Sequence, residues 1–389
     1  MDVVKIAGFL GEHNISDEKS LPLGSLAISS NVDIDSEGLI ATRDGFYLSE
    51  AFTNITASFT TADERRMFII DDGDLKFVNE DLTTYILKTS MSADYVKWIE
   101  VADFIFLSTG HMITKDLDVL DWRIESPDQA QLGQVSGNLA QGQYQVVTTC
   151  RDFTGREGAA SLLAVIDVPD LSGITVKPSY LNGYDTIIYI TDTNGEVFYQ
   201  VGVAPIGSTV TIATTSMLVY PIDEQQLDAE PLPEQIGSIT HYEGSVWASQ
   251  YIDGVSYLWR SKPYWWHLFD AHSDYITIAG KVTVIEGTPQ GLFIGTDDEM
   301  FVYTAEDSLV RLAEYGVVQG KPLARADDGR IYVWTKQGVC SLFPFENMTE
   351  DKVSLPSGCI CSTSIIEKNG YEQFMVLNEG SGTAFNSLI

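Results

Sequence analysis

The sequence predicts an all-β protein, a β-propeller-like body carrying an inserted immunoglobulin- or fibronectin-like β-sandwich. Three observations point there. Short runs rich in Val, Ile, Thr, Tyr, Phe and Trp are punctuated by Gly, Asp and Asn at intervals of about ten residues. A unit made of an apolar strand, a polar turn and a second apolar strand recurs along the chain. Between its second and third occurrences lies a stretch of about eighty residues with strand spacing of its own.

The recurring unit begins with Met67-Phe68-Ile69-Ile70 and Leu75-Lys76-Phe77-Val78, then Phe104-Ile105-Phe106-Leu107 and Met112-Ile113. After the interruption come Ser245–Ala248 with Ser256–Trp259, Leu292–Gly295 with Phe301–Tyr303, Ile331–Trp334 with Cys340–Phe343, and Glu372–Met375 with Thr383–Phe385. The second positions of the first strands are 37 residues apart in the first two units, and 47, 39 and 41 apart in the last four. Periods of roughly 40 to 50 suit four-stranded propeller blades, because one blade cannot cover its own faces and must stack on neighbours around an axis. A set of sandwiches with similar hairpins is the alternative. Only Asp63–Phe68 and Asp223–Leu227 offer a turn or two of helix.

The period breaks between about Ile124 and Leu218. There, Gly142–Thr149 alternates as a half-buried strand does, and Asp152-Phe153-Thr154-Gly155-Arg156-Glu157 reads as a turn. Strands are expected at Ser161–Val168, Ser172–Lys177, Thr186–Thr191, Val197–Val203 and Thr209–Ala213, with a hairpin turn at Asp192–Gly195. The division is therefore 1–133 and 218–389 for the body and 134–217 for the insert, with the acidic, proline-bearing 221–233 as return linker.

Composition narrows the function. The 389 residues include 23 Lys and Arg against 55 Asp and Glu, for a formal charge of -32. With no basic run longer than Arg65-Arg66, wrapping a duplex through phosphate neutralisation is disfavoured. No apolar run reaches the ~18 residues of a membrane span, so no membrane insertion is expected. Asp2 stands where a signal peptide needs a basic region, which argues against export by the general pathway. Cys150, Cys340, Cys359 and Cys361 are too few for a disulfide scaffold and fit buried thiols in a reducing compartment.

Several stretches resemble a known family. Gly11-Glu12-His13-Asn14, Leu21-Pro22, Asn31–Gly38 and Arg43-Asp44-Gly45-Phe46 look like the opening of bacteriophage tail nozzle proteins, also called hub or DNA-stabilisation proteins. Within the insert, Gly142-Gln143-Tyr144, Gly155-Arg156-Glu157, Tyr189-Ile190-Thr191, Asn194-Gly195 and Phe198-Tyr199 are similar to the pattern such proteins carry. The resemblance implies a non-enzymatic virion structural protein with a propeller body, a β-sandwich projection, a ring of six copies and a central channel. It further implies other tail or connector proteins as partners, assembly in the host cytoplasm, and genome DNA that passes without specific binding. A channel lined with carboxylates would repel the phosphate backbone at close range. A receptor- or glycan-binding tail-tip protein and a propeller-type glycosidase are the competing functions.

No cofactor is expected, and candidate sites are few. Asp33, Asp35, Glu37 and Asp44, with Gly38, approach a calcium-loop pattern, but strand-like flanks favour a hairpin turn. Asp71-Asp72-Gly73-Asp74 and Asp297-Asp298-Glu299 read as solvated turn acids before metal ligands. Cys359-x-Cys361 with Cys340 lacks a neighbouring histidine, which makes zinc a weak reading. His13, His111, His241, His267 and His272 stand beside no nucleophile elbow or metalloprotease helix. The densest aromatic cluster is Trp259, Tyr264, Trp265, Trp266, His267 and Phe269. Packing between blades is its foremost reading, a subunit interface through Tyr264, Trp265 and Trp266 the next, and a carbohydrate-binding platform the last.

Overall fold

Each of the first five recurring hairpins forms the central pair of a larger antiparallel sheet in the computed structural model. That structure describes residues 8–30, 32–34, 38–42, 52–91, 95–214, 220–222, 224–270, 272–368, 371–379 and 385–386. The first sheet joins Ile55–Thr60, Met67–Asp71, Asp74–Val78 and Thr84–Lys88 in sequence order, and the second joins Trp98–Val101, Phe104–Leu107, His111–Ile113 and Val119–Asp121. The fourth (Val282–Thr288, Gly291–Thr296, Met300–Tyr303, Leu309–Ala313) and fifth (Leu323–Arg325, Ile331–Thr335, Gly338–Ser341, Glu346–Asn347) repeat the pattern. In the third, Ile236–Tyr242, Ser245–Ile252 and Val255–Lys262 pair in order. Val255–Lys262 then pairs with Tyr275–Ala279 along its first half and with Trp265–Phe269 at its end. The sixth runs Ile360–Lys368, Tyr371–Glu379 and Phe385–Asn386, with Gln319–Lys321 added in parallel to Ile360–Lys368.

Packing explains why the central strands are nearly unbroken apolar runs. Gly291–Thr296 and Ile331–Thr335 are buried at every position because a neighbouring sheet covers each face. Consecutive sheets share buried clusters. Phe68, Ile70 and Trp98 join the first to the second, and Phe106, Ile239 and Phe269 the second to the third. Leu258 and Ile285 link the third to the fourth, Phe293 and Val333 the fourth to the fifth, and Trp334 and Phe374 the fifth to the sixth. This serial stacking of small sheets is the propeller-like body. Gly287 shows how closely the sheets approach: a Cβ there would lie 2.3 Å from the carbonyl oxygen of His241. Among the described residues no buried cluster joins the sixth sheet to the first. Asn14 bonds with its main chain to Lys352 and with its side chain to Ser354.

Residues 131–212 form two further sheets. One holds Gln131–Leu139, Ser172–Lys177 and Val210–Ile212, and the other Gly142–Arg151, Ala164–Val168, Asp185–Thr191 and Phe198–Ala204. Leu139, Val146, Ile174, Val176, Ile188, Ile190 and Ile212 from both sheets meet in one buried cluster. Tyr144 ties the hairpin end together, its hydroxyl 2.6 Å from Thr193 Oγ1 and donating to the Ala140 carbonyl at 3.0 Å.

Three expectations need correction. Residues 63–68 form no helix. Thr61 bonds the Arg66 carbonyl across a tight turn, Glu64 takes φ of 59°, and the chain enters a strand at Met67. The helical turn near 223 does form, as Glu224–Leu227. Asp71 is not a solvated turn acid: it is 3% exposed, accepting from Asn54 N and Lys76 Nζ at 2.7 Å each. Cys150, Cys340 and Cys361 are buried free thiols, whereas Cys359 is exposed.

Candidate functional site

The joint between insert and body is built from the loop read as a plain turn. Asp152 organises it as an Asx turn: Oδ1 accepts from the amides of Thr154 and Arg156 at 2.9 and 3.0 Å and from the Thr154 hydroxyl at 2.7 Å. Its Oδ2 takes Arg156 Nε at 2.9 Å and Nη2 at 2.7 Å, a paired geometry with the two side chains 7% and 12% exposed. The same guanidinium reaches the body, donating from Nη1 to the Trp122 carbonyl at 3.2 Å and from Nη2 to the Asp121 carbonyl at 2.9 Å. Next along the chain, the Glu157 carbonyl accepts from His267 Nε2 at 2.9 Å, so that nitrogen carries the proton. The Glu157 carboxylate accepts from the Tyr189 hydroxyl at 2.7 Å and from the Thr149 hydroxyl. Ala159 completes the contact, buried against Ala229 and Leu268 with Trp265 alongside.

Burial sets the electrostatics of this joint. It drives the His267 imidazole down to about 4, keeping the ring neutral at physiological pH. It pushes the Tyr189 hydroxyl above the usual phenol range, and the Glu157 carboxylate adds to the effect.

The three residues expected at a subunit interface part company here. Trp266 turns inward, its ring 6.1 Å from Phe106, with Nε1 donating to the Gly244 carbonyl at 3.1 Å and its own carbonyl accepting from Trp122 Nε1 at 2.8 Å. Trp265 packs at the insert joint. Tyr264 stays out, 78% exposed at a turn position with φ of 64°. Packing between sheets therefore accounts for Trp266 and Phe269. A different aromatic group is half-exposed, a ladder of Tyr257, Trp259 and Tyr275 with centroids 5.5 and 4.9 Å apart. Only Trp259 of these belonged to the sequence cluster. The alternation of Tyr257 and Trp259 on one strand face was the signal for the rest.

The candidate metal and nucleophile residues are dispersed. Asp33 lies in the strand Val32–Ile34 opposite Ala41, while Asp35, Glu37 and Asp44 lie outside the described residues. Among the described residues no three His, Cys, Asp or Glu side chains converge on a common point. Asp298 and Glu299 face Lys336 and Arg311. His111 contacts Thr109 and Asp121, and His272 contacts Glu230. Burial raises Cys150 to about 11 and Cys361 to about 12, far from thiolate chemistry at neutral pH.

A cavity of about 650 Å³ opens where the sheets converge. Its lining comes from Tyr95, Thr109, Gly237, Thr283, Gln319 and Ile360, among others.

No family model matches the chain, and no curated protein matches it. Solved structures do show likenesses in shape. The Dos1 propeller is 9% identical, with 91% of this chain and 81% of that one covered at a TM-score of 0.37. A catalytically inactive virginiamycin B lyase from Staphylococcus aureus with quinupristin is 9% identical, at 85% and 94% coverage and a TM-score of 0.35. The extracellular domain of a hybrid two component system from B. thetaiotaomicron is 11% identical with a TM-score of 0.34. The alignment covers 86% of this chain but 38% of that longer one.

Proposed function

We propose that this protein is a non-enzymatic structural subunit of a bacteriophage tail or head-to-tail passage. It assembles in the host cytoplasm into a ring, six copies by the family resemblance, docked on other tail or connector proteins. The insert is the projection of this subunit and takes the place of an immunoglobulin-like sandwich. The observation that carries the reading is the buried joint. A projection fastened by a buried Arg156–Asp152 pair and the His267–Glu157 bond is held in one orientation, as a structural subunit requires.

Charge supports the same reading. Twelve described Lys and Arg side chains are already engaged in ion pairs, so the excess of 55 acids over 23 bases is left mostly to the surface. A channel formed by such surfaces lets duplex DNA slide without the sticking that counterion release drives. We assign the subunit contact to the half-exposed Tyr257–Trp259–Tyr275 ladder, since aromatic rings are enriched at interface centres.

Negative-stain imaging with sedimentation across a salt series tests the proposal. An open ring with a pore of duplex width, strengthened as salt screens acid repulsion within about 8 Å at physiological ionic strength, is the expected result. A compact monomer at every salt concentration, or duplex binding at moderate salt, refutes it.

A further inference from the structure

One histidine contact differs from the others in what surrounds it. Thr109 and His111 flank Gly110 in the tight turn between Phe104–Leu107 and His111–Ile113, where Gly110 takes φ of 82° and donates its amide to the Leu107 carbonyl. The turn brings Thr109 Oγ1 to 3.0 Å from His111 Nδ1. On the other side of the ring, Nε2 lies 3.6 Å from Asp121 Oδ1. The sheet register sets that second contact, since His111 and Asp121 stand opposite one another on the strands His111–Ile113 and Val119–Asp121. The Asp121 carbonyl is in turn fixed by Arg156 Nη2.

The order hydroxyl, imidazole, carboxylate places the protons. A carboxylate facing Nε2 favours the tautomer with its proton there, which leaves the Nδ1 lone pair to accept from the Thr109 hydroxyl. Burial holds the proton affinity of the ring below its ordinary value, with the Lys88 charge acting in the same direction and Asp121 against it, so the imidazole is neutral at physiological pH. Thr109 and His111 both line the cavity of about 650 Å³, which opens the pair to a small molecule. The neighbouring hydroxyls of Ser108 and Thr283 are engaged with main-chain groups instead. The same lining holds Lys281, which makes no ion pair among the described residues, and an apolar wall that includes Met91, Val96, Ile236 and Ile360.

We infer that Thr109 is a nucleophile that takes an acyl group from small activated carboxylic esters entering this cavity. His111 Nδ1 removes the Thr109 hydroxyl proton as Oγ1 bonds to the ester carbonyl carbon. The tetrahedral adduct carries its negative charge on the former carbonyl oxygen, and Lys281 is the cation of the cavity that favours it. The adduct collapses as the bond to the leaving oxygen breaks. That oxygen takes the proton from His111, which returns to neutral, and the products are acyl-Thr109 and the free alcohol. Asp121 is a positioning residue that orients the ring. The proposed structural role neither needs nor excludes this chemistry.

Incubating the full chain with p-nitrophenyl acetate, quenching in acid and mapping the acetylated peptides by mass spectrometry tests this. Thr109 should be acetylated at least tenfold faster than Thr277, an exposed threonine of the strand Tyr275–Ala279 with no imidazole bonded to it. Its rate should level off above about pH 6.5, where the imidazole has lost its proton, while that of Thr277 keeps rising with hydroxide. His111→Gln should bring Thr109 down to the Thr277 rate. Asp121→Asn should slow it severalfold and move the midpoint of the profile to lower pH, because the carboxylate raises the proton affinity of the ring. Thermal melts establish that the variants fold, and if His111→Gln does not, the pH profile of the unmodified chain decides. Thr109 labelled no faster than Thr277, a rate that still climbs with hydroxide above pH 6.5, or indifference to His111→Gln overturns the assignment. An unshifted midpoint in Asp121→Asn overturns the role given to Asp121.

Discussion

Replacing Arg156 by Met removes the clasp between insert and body while keeping much of the side-chain volume. The guanidinium neutralises Asp152 and satisfies the carbonyls of Asp121 and Trp122, in a setting where the two charged side chains are 12% and 7% exposed. Without it a buried carboxylate is left uncompensated, and breaking one partner of a buried pair costs about 3–5 kcal/mol. Asp152→Asn together with Arg156→Met removes both charges, so the double variant should cost less than the two single variants combined. A coupling of about 1 to 3 kcal/mol is expected for groups in one network. Urea unfolding followed by tryptophan fluorescence reads the effect, because Trp122 and Trp266 lie beside the joint. A single-variant loss below about 1 kcal/mol, the level of an exposed ion pair, would refute the clasp. Strict additivity in the double variant would do the same.

Further outcomes follow from other parts of the molecule. His267 is held near 4 in the folded protein against about 6.5 unfolded, so the unfolded chain binds the extra proton between those values. Its contribution is complete above about pH 6.5 and falls by about 3 kcal/mol on acidification to pH 4, and His267→Gln should flatten that part of the stability profile. EDTA should leave the melting temperature unchanged, whereas a calcium site at Asp33–Asp44 saturated a hundredfold above its Kd would contribute about 2.7 kcal/mol. A drop of several degrees on chelation would restore the metal. Tyr275→Asp, at a position 38% exposed, should abolish the ring in sedimentation without unfolding the subunit. Replacing residues 134–215 with a Gly/Ser linker should leave a folded but weakened body, since Leu268 and Trp265 lose Ala159; wholesale aggregation would place the insert in the central core.

What was legible in the sequence was what lies between two sheets. Strands such as Met67–Asp71 and Ile331–Thr335 are covered on both faces, so their composition alone marks them. Outer strands such as Thr84–Lys88 and Leu309–Ala313 face solvent and carry no clear alternation. Gln131–Leu139 escaped for another reason. It contains Gly133 and Gly137, which have no side chain to mark a strand face, and a Cβ on them would lie 2.7 Å from Thr175 Oγ1 and 2.8 Å from Gly173 Cα. The clasp illustrates the same limit at a site. Asp152, Thr154 and Gly155 announce a turn by local chemistry, but the partners of Arg156 and Glu157 are Trp122 and His267, brought there by the fold. Asp71 likewise looks like a turn acid until Lys76 and Asn54 close over it.

The joint also determines where a mechanical load on residues 131–212 would go. A domain hung on two flexible strands absorbs a push at its tip by swinging. This one meets the body through Arg156, Glu157 and Ala159. Torque applied to the insert is therefore delivered to Trp122 and the strand Trp265–Phe269, where the second and third sheets share their buried aromatic rings. Under the proposed role the insert would act as a lever whose fulcrum is an intersheet seam, and a force arriving from a neighbouring subunit would strain the stacking of the body before it bent the joint.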